Sequence, residues 1–193
     1  MSSKLKKKTK KPIRKDMDSE KRESNTTKLV EEAYYNLRLI SYQILHDKFG
    51  FGQKRIIRLE QTMDEMRASR DEVGISLEDM IGYMHRRYDI DVRAEVNVVP
   101  FRERFALTRF KIHADSQQSA GMYLLASICD YFTFLGIVLR EQFKFSSRQI
   151  REAYGWIRYY INTLSRPKQF DLTMKDIAEC LMDEVKYCDV RFI

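Results

Sequence analysis

The stretch Phe49-Gly50-Phe51-Gly52-Gln53-Lys54-Arg55 is the first candidate for chemistry, because closely spaced glycines before cations suggest a loop that cradles a phosphate. Such a loop needs a Lys followed by Ser or Thr, and a strand leading into it. Neither is present here. His46, His85 and His113 are far apart and lack the paired helical spacing of a metal-binding helix. Cys129, Cys180 and Cys188 are odd in number and without CxxC spacing, which argues for a reducing compartment and against a disulfide framework or a structural zinc site. No Ser-His-Asp or Cys-His arrangement is suggested locally. The acids Glu60, Asp64, Glu65, Asp71 and Glu72 have the spacing of a solvated helix face. The sequence therefore singles out no catalytic, cofactor or metal residue, and the expectation is a protein that is not an enzyme.

Binding chemistry is better represented. Lys54, Arg55 and Arg58 open one expected helix, and Arg148, Arg151 and Arg158 lie on another that also carries Tyr154, Trp156, Tyr159 and Tyr160. Arginines among aromatics suit unstacked bases or a protein interface, with the alternative that half of these aromatics are core. Of the 193 residues, 35 are Lys or Arg and 28 are Asp or Glu, a formal charge of +7. Most of that excess sits in residues 1 to 25, which hold ten Lys or Arg, Lys6, Lys7, Lys8, Lys10 and Lys11 among them, against four acids. With few apolar residues to offset its ordering entropy, this arm is expected to be disordered when free. It would grip phosphates or an acidic protein, or serve as a solubility tail.

The elements that position these residues come from an internal repeat. Ile44 to Ile56 (ILHDKFGFGQKRI) aligns with Val138 to Ile150 (VLREQFKFSSRQI) at an offset of 94 residues, with Leu45, Phe49, Phe51 and Ile56 meeting Leu139, Phe143, Phe145 and Ile150. Gly50 and Gly52 meet Lys144 and Ser146, so a close-approach anion loop is excluded, and Gly52 and Ser146 read as equivalent helix caps. The four phenylalanines read as structural, pinning the corner between two helices. Further on, Ile75 to Met80 (ISLEDM) aligns with Leu172 to Ile177 (LTMKDI) at an offset of 97, and Ser76 and Thr173 read as start signals for a third helix.

Apolar periodicity supports three helices per copy. Leu29, Ala33, Leu37, Ile40 and Ile44 share one face, as do Leu124, Ile128, Tyr131, Leu135 and Val138 in the second copy. Between the copies, Val92, Ala94, Val96 and Val98 alternate with Arg93, Glu95 and Asn97, which predicts a strand ended by Pro100, with Arg104 to Ile112 as its hairpin partner or else the start of a helix, the two-stranded ribbon being favoured. The expectation is a mainly α protein of two tandem three-helix modules joined by a short β-hairpin-like connection. Its parts are an arm (1–25), module one (26–91), a β segment and loop (92–121) and module two (122–193). Met122 to Leu139 is 18 residues of mostly apolar sequence, but Asp130 in its centre makes it a core helix rather than a membrane span. The basic start lacks an apolar signal region, so it is not read as a secretory signal and the cytoplasm is the expected location.

Leu45 to Ile56 (LHDKFGFGQKRI) followed by Ser76 to Ile81 (SLEDMI) resembles small helical proteins of prophages and related mobile elements in Gram-positive bacteria. The resemblance spans about residues 34 to 92, and more faintly 131 to 190. It implies an accessory protein in a setting where inhibitors of host defence, anti-CRISPR proteins included, are common. The expected partner is a bacterial protein or nucleoprotein such as a CRISPR effector, with nucleic acid engaged through the arm, or a second copy of the chain. A DNA-binding regulator or packaging factor and a structural homo-oligomer are the alternatives.

Overall fold

A computed structural model describes residues 13–110, 112 and 116–188. The described residues are 81% helix, with no strand among them. Copy one supplies α1 (Ile13–Phe49), α2 (Gln53–Val73) and α3 (Leu77–Tyr88). A connection follows, made of α4 (Val92–Asn97) and a 3-10 turn (Glu103–Leu107). Copy two supplies α5 (Gln117–Glu141), α6 (Ser147–Leu164), a one-turn α7 (Pro167–Phe170) and α8 (Met174–Cys180), which ends in a π turn (Leu181–Val185).

The expected start signals cap their helices. Ser76 Oγ accepts from the Asp79 amide, Thr173 and Asp176 form a capping box, and Ser146 forms another with Gln149. Gly52 caps α2 without a side chain. The longer connection of copy two is taken up by α7. Both third helices end on a left-handed residue, Asp89 at φ 55° and Lys186 at φ 58°. The amide two residues beyond each helix then bonds back six residues, Ile90 to Met84 O and Tyr187 to Leu181 O.

The β connection is corrected. Val92, Val96 and Val99 are buried and Val98 is 66% exposed, the opposite of what alternation requires. The spacing of these valines serves a helical period as well as a strand period, and the Asp91 side chain settles the choice by accepting from the Ala94 amide at 3.0 Å. Glu95 is turned to Arg158 and Arg93 to Glu78, which consumes the charges expected on a solvent face of the strand. At the other end, α1 runs through residues 13–25, where a disordered arm is expected. Lys6, Lys7, Lys8, Lys10 and Lys11 lie outside the described residues.

The two copies interlock around a pseudo-twofold axis. Phe49 packs on Phe145 with ring centres 5.1 Å apart, Phe51 packs on Phe143 at 4.9 Å, and Phe51 meets Phe145 at 5.8 Å. Exchanging the copies turns each of the first two pairs into the other and leaves the third unchanged, as twofold symmetry demands. Parallel α1 and α5 form the centre. α2 and α3 of copy one lie against α5, whereas α6 and α8 of copy two lie against α1. Every helix of one copy is thus completed by the other, in a single continuous core.

The symmetry breaks at one buried layer. In copy two, Phe132 stacks on Tyr154 at 4.4 Å, and the Tyr154 hydroxyl donates to Phe132 O at 2.5 Å over Gly136. A Cβ at Gly136 would overlap that hydroxyl. The equivalent positions of copy one, 94 residues earlier, are Arg38, Glu60 and Tyr42. There an Arg38–Glu60 ion pair replaces the stack, with Tyr42 bonded to Arg38 and Tyr187 donating to Glu60 at 2.9 Å. Burial and bonding to Tyr42 act on the Arg38 guanidinium in opposite directions, and its pKa ends above the usual value.

α5 is the one described helix long and apolar enough to cross a membrane, and two thirds of its apolar window is buried within the protein. Asp130 at its centre pairs with Arg70 of α2 at 2.7 Å.

Candidate functional site

The corner between first and second helices sets the geometry of the candidate site. Both corners pass through a left-handed residue, Gly50 at φ 65° and Lys144 at φ 59°, and each next amide bonds back to the helix it leaves, Phe51 to Leu45 O and Phe145 to Leu139 O at 3.0 Å. Nothing lies within 4 Å of a Cβ placed on Gly50 or Gly52, so no ligand-sized close approach requires those glycines. Phe51 and Phe145 are buried, while Phe49 and Phe143 are half-buried.

Because the phenylalanines clamp both corners together, α2 and α6 begin side by side. This brings Lys54, Arg55 and Arg58 onto the same end of the molecule as Lys144, Arg148 and Arg151, all of them exposed. Arg55 stacks over Phe51 at 3.9 Å and also faces Phe143 at 5.6 Å, and Arg58 lies 5.9 Å from the Phe143 ring and donates to Gln142 Oε1. Stacking fixes the guanidinium planes while leaving their outward N–H groups for an anion. Arg151 bonds Asp89, so its charge is locally balanced. The two helix N-termini add positive potential of their own at this end.

Acids at the rim are held inward. The Glu141 carboxylate accepts from Tyr88 and, at 2.9 Å, from Tyr83. These phenol hydrogen bonds lower its pKa below the ordinary carboxylate value.

Other expected binding residues fall elsewhere. Arg158 is tied to Glu95, and both are largely buried, so it fastens α6 to α4 and is not on the ledge. Trp156 is half-buried with Lys48 Nζ 4.3 Å above its ring, and it meets Tyr159 edge-on at 5.8 Å. Tyr159 is 53% exposed, Tyr160 half-buried beside Asp47, and Tyr154 wholly buried. The aromatics therefore divide between core and a small patch two to three turns along α6 from the corner.

A group that sequence spacing did not reveal lies at the end of α1. His46, Asp47 and Glu184 of the π turn bring their ligand atoms within 4.8 Å of one another. His46 and Glu184 come from opposite ends of the described chain, and only the packing of α8 on α1 joins them. A groove of about 530 Å³ opens between α1, the 3-10 turn and α8, lined by Tyr35, Leu39, Leu172 and Met174, with Glu32 and Arg109 paired at its rim.

Comparison of the chain with protein-family models, curated proteins and solved structures finds no match.

Proposed function

We propose that this protein binds rather than transforms its target, engaging nucleic acid within a bacterial nucleoprotein through the basic ledge at the paired corners. One observation carries the reading. Cations from segments far apart in the chain, Lys54, Arg55 and Arg58 with Lys144 and Arg148, converge on one exposed end where the Glu141 and Asp89 carboxylates are already bonded. Phosphate backbones reward such clustering, because each neutralised phosphate releases condensed counterions. The arm, with Lys6, Lys7, Lys8, Lys10 and Lys11, adds to the same electrostatics. The resemblance of the first module to prophage and mobile-element proteins supports a setting in the bacterial cytoplasm, where the finer reading is an anti-CRISPR-type inhibitor.

Fluorescence anisotropy with labelled single- and double-stranded DNA and RNA, across a salt series, tests the ledge. Affinity of the intact protein should fall steeply with salt, and the triple variant Lys54→Glu, Arg58→Glu, Arg148→Glu should lose at least tenfold in affinity and flatten the log-log slope by about one per phosphate contact removed. Binding that ignores salt and this variant, but fails on Trp156→Ala or Tyr159→Ala, would move the interface to the α6 aromatic patch and a protein partner. A DNA-binding regulator or packaging factor would instead discriminate among duplex sequences at fixed salt.

A further inference from the structure

We propose that His46, Asp47 and Glu184 form a binding site for a divalent first-row cation of the Zn2+ class, which ties the end of α1 to the C-terminal π turn. His46 Nδ1 lies 2.9 Å from the backbone oxygen of Phe51. A carbonyl can only accept, so Nδ1 carries the proton and the lone pair of the neutral ring is on Nε2. That Nε2 faces Glu184 Oε2 at 3.4 Å. With the ring neutral, two lone pairs face each other at this distance, and either a second ring proton or a bound cation between them relieves the repulsion. A Zn2+ ion with bonds of about 2.0 to 2.1 Å in tetrahedral geometry places neighbouring ligands about 3.3 to 3.4 Å apart, which is the separation found. The hydrogen bond from Nδ1 to a carbonyl is also the arrangement that orients metal-bound imidazoles.

Two further observations point the same way. Asp47 and Glu184 have no Lys or Arg within ion-pairing distance among the described residues, and Gln43, which donates to Asp47 Oδ1 at 2.8 Å, is buried with its own Oε1 unpartnered. The second copy supplies the contrast. At the position of His46 stands Arg140, whose guanidinium donates to Phe145 O at 2.7 Å as His46 donates to Phe51 O. At the position of Asp47 stands Glu141, satisfied by Tyr83 and Tyr88, and Cys180 replaces Tyr83. One niche is thus closed by a fixed cation and phenols. Its counterpart presents imidazole, two carboxylates and a nearby thiol, donors that suit zinc. The three groups whose ligand atoms converge are His46, Asp47 and Glu184.

Chelator-treated full-length protein titrated calorimetrically with ZnCl2, alongside Glu184→Gln and Asp47→Asn, tests the site. Both variants change half-buried or exposed side chains and keep their size, and circular dichroism checks that each remains folded. The expected result is one Zn2+ per chain at this site, a raised melting temperature in excess Zn2+, and at least tenfold weaker binding with loss of that thermal shift in either variant. Co2+ should give visible bands of low coordination number that vanish in Glu184→Gln. Unchanged affinity and thermal shift in both folded variants, or no thermal shift in the intact protein, would overturn the site. The nucleic-acid reading is tested separately, by the salt dependence of the Lys54→Glu, Arg58→Glu, Arg148→Glu variant, none of whose positions belongs to this site.

Discussion

At the scale of single residues, the paired corners hold two equivalent positions with opposite fitness for the same backbone. Gly50 and Lys144 share a left-handed conformation that glycine adopts freely and a Cβ-bearing residue adopts at a cost. Gly50→Ala should destabilise by about 1 kcal/mol, purely from conformation, since the space around it is open. Lys144→Gly should stabilise by about 0.5 kcal/mol despite losing its Nζ bond to Glu141 O. Urea unfolding of both variants checks the sign of each change, and equal signs would refute the account. Lys144→Gly also removes one ledge cation, so its salt slope for nucleic acid should fall while its stability rises. The identities Phe49 with Phe143 and Phe51 with Phe145 were legible from spacing alone, because ring pairs in a clamp tolerate little change. That Phe51 and Phe145 are the buried members was not legible, since burial depends on the opposing copy.

At the scale of elements, the tie between α3 and the end of α5 is a titratable one. Tyr83 and Tyr88 lower the Glu141 pKa, so the folded state holds fewer protons than the unfolded chain near the ordinary carboxylate value. The stabilisation is therefore complete above that value and is lost as pH falls through the depressed one. The paired variant Tyr83→Phe, Tyr88→Phe should melt lower than the intact protein at pH 7, and the gap should close as pH falls from 5 to about 3, because the intact protein loses this stabilisation over that range and the variant has none to lose. Profiles that superpose would show that the phenols contribute nothing to this linkage. Helix positions were readable wherever a long 3.6-residue period met a cap, as at Ser76 and Thr173. Val92 to Pro100 misled because its short run fits both periods, and Asp91, one residue outside the run, decides between them. Arg158 looked like a binding residue because nothing local shows Glu95 reaching it from α4.

At the scale of the whole molecule, the copies are not independent modules. α2 and α3 find their apolar partners on α5, and α6 and α8 find theirs on α1, so a fragment covering 26–91 would expose a face that only the other copy covers. Expressed alone, that fragment should show little helix by circular dichroism and no cooperative melt. Co-expressed fragments divided after Asn97, in the connection between α4 and the 3-10 turn, should instead associate and regain a single transition. A fragment 26–91 that melts cooperatively by itself would refute this interdependence. The duplication was visible in the order of matched residues. The crossing of the copies, and with it the meeting of His46 and Glu184, was not, because no sequence pattern states which copy a helix covers.

The reciprocal phenylalanine pairs have a consequence for how the two halves can change. Two identical chains held by such a clamp would carry every substitution at both symmetric places at once, so a residue useful at one would have to be tolerated at the other. Within one covalent chain the clamp still aligns the halves, but each place varies alone. That is the freedom under which a Phe132–Tyr154 stack can face an Arg38–Glu60 pair across one core, and an Arg140 niche can face a His46 niche across one axis.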